Sequence, residues 1–177
     1  ITFINTFNVL SLPSLKDYLQ WILDLREEYA KDRQGTKYIP IPDNGDHVHE
    51  DYAVKPKQRI WFDIPLLRAP IWQCIQIMPE YYQSYLEEAI AFMEINQADE
   101  VNIDYRGFKD FEIDKVRRNL EWMKAGVNMD KDEITKARAN FYKFFTQHDA
   151  RRDTDFLSTF PEMEDWWNIC QEAEALV

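Results

Sequence analysis

At 177 residues the chain has the length of one domain and can bury a sizeable core, and a composition 45% hydrophobic and 15% aromatic argues against disorder. The net charge of −11 disfavours nonspecific binding to nucleic acid, whose phosphates it repels. Cys74 and Cys170 make no disulfide framework, and no apolar run nears the roughly 20 residues that span a bilayer. The expectation is a soluble cytoplasmic protein with neither a membrane nor a nucleic-acid partner.

In chain order, Ile1–Leu10 reads as a strand with two mixed faces, which suits a strand whose end meets a polar site. Ser14 then caps a helix that runs to Arg33, with Asp17 three residues on as a short-armed capping box and Leu15, Tyr18, Leu19, Ile22 and Leu25 at helical spacing. Gly35 supplies the stop. Residues 36–57, with Pro40, Pro42, Pro56 and the run DNGDHVHED, form a surface insertion.

The centre is RIWFDIPLLRAPIWQCIQIMP at 59–79. Its two runs of β-branched and aromatic residues, Ile60–Ile64 and Trp72–Met78, read as buried strands around a turn holding Pro65 and Pro70. Pro79 opens a helix over Glu80–Ile95 with Tyr82, Tyr85, Leu86, Ala89 and Met93 as its stripe. Three further helices follow. One carries Ile113, Val116, Leu120 and Met123 on one face, flanked by Lys115, Arg117 and Arg118, and ends at Gly126. The next spans Met129–Thr146, and the last starts at a Thr159/Glu162 capping box and buries Met163, Trp166, Trp167 and Cys170.

Strand, helix, strand is a βαβ unit, for which a parallel pair with a right-handed crossover is favoured. The fold class expected is α/β: an open sheet of about three strands or a partial (β/α) barrel over residues 1–107, followed by a helical segment over 108–177 that packs on it.

Several polar clusters are candidates for chemistry. His47 and His49, beside Asp46, Glu50 and Asp51, have metal-like composition but sit in a proline-punctuated loop, and a solvated metal-free loop is favoured. The run His148, Asp149, Arg151, Arg152, Asp153 and Asp155 is read as ion pairs holding a turn between helices. Cys74 is read as an inert thiol within a strand. Polar side chains in or beside apolar strands are different in kind, because open α/β sheets bind ligands at the carboxyl ends of their strands. If the first two strands are parallel, Asn8 and Ser11 approach Asp63 and Arg68 in one polar cleft, with Gln73 at the start of the third strand nearby. Asp63 is the expected hydrogen-bond acceptor. No catalytic residue and no metal ligand is assigned.

NTFNVLSLPS at 5–14, RIWFDIPLLRAPIWQCIQIMPE at 59–80, FKDFEIDKVRRNLEWM at 108–123 and FYKFFTQHDARRDTDFLSTFPEMEDWW at 141–167 together resemble the C-terminal half of phage and environmental twitch-domain radical S-adenosylmethionine proteins. The resemblance implies the later strands of a partial (β/α)6 barrel. It also implies a parent activity in which S-adenosylmethionine is cleaved to a 5′-deoxyadenosyl radical. Such enzymes hold a 4Fe-4S cluster with C-x-x-x-C-x-x-C, which two cysteines cannot provide. This chain would therefore supply S-adenosylmethionine-facing or substrate-facing groups, with the cluster in a longer parent protein, and the start at Ile1 suits a fragment. The alternative is a noncatalytic acidic module for protein interaction or oligomerisation. Either way a homo-oligomer, or pairing with the missing N-terminal barrel half, is expected, since a cut barrel leaves an open edge.

Overall fold

In the computed structural model, which describes residues 1–31, 60–98 and 106–177, the sheet has two strands. β1 (Thr2–Ile4) pairs with β2 (Trp61–Asp63) in parallel, with Thr2 opposite Trp61, Phe3 opposite Phe62 and Ile4 opposite Asp63. The pairing continues past the strands through single bonds: Asn5 N–H donates to Asp63 O at 2.8 Å, Phe7 N–H to Pro65 O at 3.0 Å, and Leu67 N–H to Phe7 O at 3.3 Å. In this register the residue that would donate to the Asn5 carbonyl is Pro65, which has no N–H. One rung is missing there, and the pairing resumes only as a single bridge between Phe7 and Leu66.

The third strand expected at Trp72–Met78 is not formed. Ile71–Gln73 and Ile75–Ile77 are two 3₁₀ turns separated by the extended Cys74, so this thiol is not in a strand. Their carbonyls are satisfied locally: Pro70 O accepts from Gln73 N–H at 3.0 Å, and Ile75 O from Met78 N–H at 3.2 Å. Ile75 and Ile77 are buried all the same. A short apolar run asks only for burial, and tight turns under a helix layer meet that demand as well as a strand does. With 71% of the described residues helical and a two-stranded sheet, the fold is mostly helical. The expected α/β class, whether open sheet or partial barrel, is overturned.

The helices are α1 (Leu15–Lys31), α2 (Gln83–Ile95), α3 (Asp110–Lys124), α4 (Lys131–Arg152), the one-turn α5 (Phe156–Thr159) and α6 (Glu164–Glu174). α1 packs on α2, α2 on α3, and α4 along α6. α4 outlasts its expected end at Thr146. Asp130 caps its start by accepting from Asp132 N–H at 2.9 Å and Glu133 N–H at 3.1 Å, and the polar stretch to Arg152 stays helical on an exposed face. The left-handed Asp153, at φ 53°, ends it.

Consequently the charged run at 148–155 is mostly the last turns of a helix. Asp149 accepts from Thr154 Oγ1 and Phe156 N–H, both at 2.8 Å, and Asp155 caps α5 by accepting from Ser158 N–H at 2.6 Å. Capping does most of the holding at this corner; of the expected ion pairs, only the contact of His148 Nδ1 with Asp149 Oδ1, at 3.6 Å, is present among the described residues. The Thr159/Glu162 box is not made either: Thr159 closes α5, and a 3₁₀ turn at Pro161–Met163 leads into α6.

One apolar core runs from Phe7 to Cys170, filled at the helical end by Phe141, Phe156 and Trp166. The Phe141 ring meets those of Phe156 and Trp166 edge-on at 5.7 and 5.4 Å. Residues 36–57, including His47 and His49, lie outside the described residues.

Candidate functional site

β2 ends at Asp63, and the segment that follows, Ile64–Arg68, runs beside α3. Between them lies an open groove of about 340 Å³, lined by Asp63, Ile64, Pro65, Leu66, Arg68, Lys115, Arg118 and Asn119. The α3 members are spaced i, i+3, i+4, which places them on one helix face. Val116, Leu120 and Met123 turn the neighbouring face into the core and fix the rotation of the helix.

Two groups join the walls. Lys115 Nζ lies 3.1 Å from Asp63 Oδ1 and also donates to the Phe62 carbonyl at 3.1 Å, so the ammonium holds the end of β2 to α3. Asn119, only 1% exposed, donates through Nδ2 to the carbonyls of Ile64 at 3.2 Å and Lys115 at 3.0 Å. With two acceptors at Nδ2 the amide orientation is fixed, since the flipped form would set oxygen against oxygen. Its Oδ1 is buried and has no hydrogen-bond partner.

Two guanidinium groups stand at the rim. Arg68 is exposed and lies over the Trp122 ring at 5.6 Å, and Arg118 is exposed. Neither forms an ion pair among the described residues. Three cations facing one carboxylate give the lining an excess of two positive charges, in a chain whose total is −11. Negative charge elsewhere repels anions, and this groove is a local reversal of it.

Of the residues expected at a cleft, Asp63 and Arg68 line the groove. Asn8 and Ser11 lie at the same end of the sheet but are used locally, Asn8 by the backbone and Ser11 by a side chain. Asn8 Oδ1 accepts from Leu10 N–H and its Nδ2 donates to Thr6 O, both at 2.9 Å, while Ser11 Oγ donates to Asn5 Oδ1 at 3.5 Å. Gln73 closes a 3₁₀ turn and does not line the groove. Lys115, Arg118 and Asn119 were not foreseen. The signal for them was an asparagine between Val116 and Leu120 on the apolar face of α3.

Cys74 Sγ donates to Leu67 O at 3.1 Å, and Cys170 is buried in α6. Burial pushes both thiols up from 9.0, the opposite of what a thiolate ligand or nucleophile needs. Among the described residues no group of three or more His, Cys, Asp or Glu is placed to hold a metal ion, and no helix is long and apolar enough to cross a membrane. Family models, curated proteins and solved structures were compared with the chain, and none matches it.

Proposed function

We propose that this protein binds a small anionic ligand in the groove between the end of β2 and α3. The observation that carries the reading is the pair of exposed guanidinium groups, Arg68 and Arg118, that share a concave surface with Lys115 while no carboxylate among the described residues pairs with them. Arginine presents a planar fork that matches carboxylate or phosphate oxygens two at a time. Asp63 is held by Lys115, so it orients the ammonium and keeps the site from being uniformly positive. A volume of about 340 Å³ suits a compact ligand at the lower end of ordinary pockets.

The resemblance to radical S-adenosylmethionine proteins adds one candidate. The methionine carboxylate of S-adenosylmethionine has the chemistry that Arg68, Arg118 and Lys115 would hold. The lining contains no aromatic ring for the adenine, and two buried cysteines with raised pKa do not fit the ligand set of a 4Fe-4S cluster. On this reading the chain contributes carboxylate recognition, and radical chemistry would need a cluster held elsewhere.

A second reading, an interaction module, is favoured by a different observation. β1 has no strand on its outer edge among the described residues, and Ile4 there is 70% exposed with Trp21 of α1 44% exposed nearby on Phe3. Open edges recruit strands. Sedimentation equilibrium tests it: a concentration-dependent dimer supports the module, and a monomer at high concentration removes it.

For the anion reading, calorimetric titration of inorganic phosphate and of succinate into the wild type and into Arg68→Gln/Arg118→Gln is the test. Each lost charge-assisted contact is worth about 1.5–3 kcal/mol, so the double variant should bind at least tenfold more weakly. Both positions are exposed, so the fold is spared. Equal affinity of the two proteins, or no binding by the wild type, contradicts the reading.

A further inference from the structure

The backbone that follows β2 has a free edge, and that edge faces the groove. The Pro65 carbonyl accepts from Phe7 N–H at 3.0 Å and Leu67 N–H donates to the Phe7 carbonyl at 3.3 Å, so residues 65 and 67 turn their backbone groups towards β1. Extended backbone alternates, and Ile64 and Leu66 therefore turn theirs the other way. The Ile64 carbonyl shows where that is, since it accepts from Asn119 Nδ2 of α3 at 3.2 Å. Leu66 lines the groove and is partly exposed, and among the described residues neither its N–H nor its carbonyl has a hydrogen-bond partner. The groove also has a direction. α3 runs alongside residues 63–68 in the same sense, with Lys115 at Asp63, Asn119 at Ile64 and Trp122 beneath Arg68. At the near end the ammonium is already paired with Asp63, while towards the far end stand the exposed guanidinium groups of Arg68 and, on the α3 wall, Arg118.

We propose that the groove takes the C-terminal end of another polypeptide, laid parallel to residues 64–68, with its α-carboxylate between Arg68 and Arg118 and its main chain bonded to Leu66. The proposal rests on the anion reading above and names the ligand within it. In parallel pairing Leu66 N–H donates to the carbonyl of the third-last residue, and the Leu66 carbonyl accepts from the N–H of the last. That register sets the carboxylate beside residue 68, where the free cations are. The reverse direction would carry it to Asp63, whose own charge already occupies Lys115. Main-chain bonds to a free sheet edge give such a complex its affinity, and capture of the terminal carboxylate fixes where the chain ends. A groove of about 340 Å³, open on one side, suits the last few residues of a chain while the rest leaves into solvent.

The test is calorimetric titration of N-acetyl-trialanine with a free carboxylate into the wild-type chain. It is compared with its C-terminal amide, with the analogue that has an ester in place of the last peptide bond, and with propionate. Loss of the charge-assisted contacts should weaken the amide by about tenfold or more, and loss of a main-chain bond should weaken the ester and propionate by about threefold or more. Leu66→Pro removes an N–H that the fold does not use, so there the tripeptide acid should lose about threefold or more while propionate stays within about twofold. Should that variant fail to fold, the wild-type comparisons decide alone. Equal affinity for the acid and propionate, or for the acid and the ester, overturns the proposal and leaves the anion reading standing, as does binding of inorganic phosphate without binding of the acid. Equal affinity for the acid and its amide overturns the proposal too. No binding by the acid, propionate or phosphate overturns both.

Discussion

Arg26 Nη2 donates to Glu112 Oε1 at 2.6 Å, with the two side chains 2% and 0% exposed, and this buried pair ties α1 to the first turn of α3. The other two nitrogens of the guanidinium are used as well: Nε reaches the Ile60 carbonyl at 3.2 Å and Nη1 the Gly107 carbonyl at 3.0 Å. Glu112 Oε2 in turn accepts from Lys109 N–H at 3.0 Å. The pair fixes where α3 starts relative to β2, and so where Lys115 and Asn119 meet Asp63 and Ile64.

Removing one partner strands a charge in the core. Arg26→Met or Glu112→Gln should each lower unfolding stability by about 3–5 kcal/mol, and the apolar double replacement Arg26→Met/Glu112→Leu by clearly less than the sum. Urea denaturation followed by circular dichroism measures this. Additive losses in the double variant would contradict the assignment.

A second consequence concerns the 3₁₀ turns that replace the expected strand. A Cβ on Gly126 would stand 2.3 Å from the Gln76 carbonyl oxygen, a backbone atom that cannot rotate away. Gly126→Ala should therefore cost about 1–3 kcal/mol, while substitution of the neighbouring exposed Val127 by Ala should be close to neutral. Thermal melts of the two variants compare them, and equal melting temperatures would argue against the close approach.

The pH dependence has a definite sign. Burial pushes the Tyr18 hydroxyl up from 10.0 to about 12, raises Tyr82 above 10.0, and raises the Cys170 thiol above 9.0. A group whose pKa is higher in the folded state contributes stability in full below its unfolded value, and that stability is lost as pH rises towards the folded value. Melting temperature should stay level through neutral pH and fall from about pH 9 upwards, where unfolded thiols and then phenols ionise. A level profile up to pH 11 would contradict the buried, neutral state of these groups. Cys74 and Cys170 should likewise react slowly with thiol reagents in the native protein and fast in denaturant.

The parts of this fold that were legible in sequence are those with a long period or a specific donor and acceptor. The βαβ reading leads to the parallel register of β1 and β2, and the apolar stripes of α2 and α3 are the faces that enter the core. Trp72–Met78 was not legible, because apolar runs of this length bury equally well as strand or as 3₁₀ turns, and nothing local reports that no strand among the described residues lies beside it. The end of α4 was missed for a related reason: a polar stretch continues a helix at little cost when it faces water.

Within the site, Asp63 and Arg68 were legible as polar groups at a strand's end. Lys115 and Arg118 flank the apolar face of an amphipathic helix, and only the position of β2 gives them a groove to face. Asn8 shows the limit of the strand-end argument, because a polar side chain there serves a turn as readily as a ligand.

The central claim is that the groove is a built anion site, and amide chemical shifts read residue by residue during titration with inorganic phosphate test it most directly. The account predicts saturable shifts confined to the segments 63–68 and 115–119, abolished in Arg68→Gln/Arg118→Gln at unchanged fold. Shifts scattered over other helix starts, or an undisturbed Asn119 and Asp63 at saturating phosphate, would contradict it.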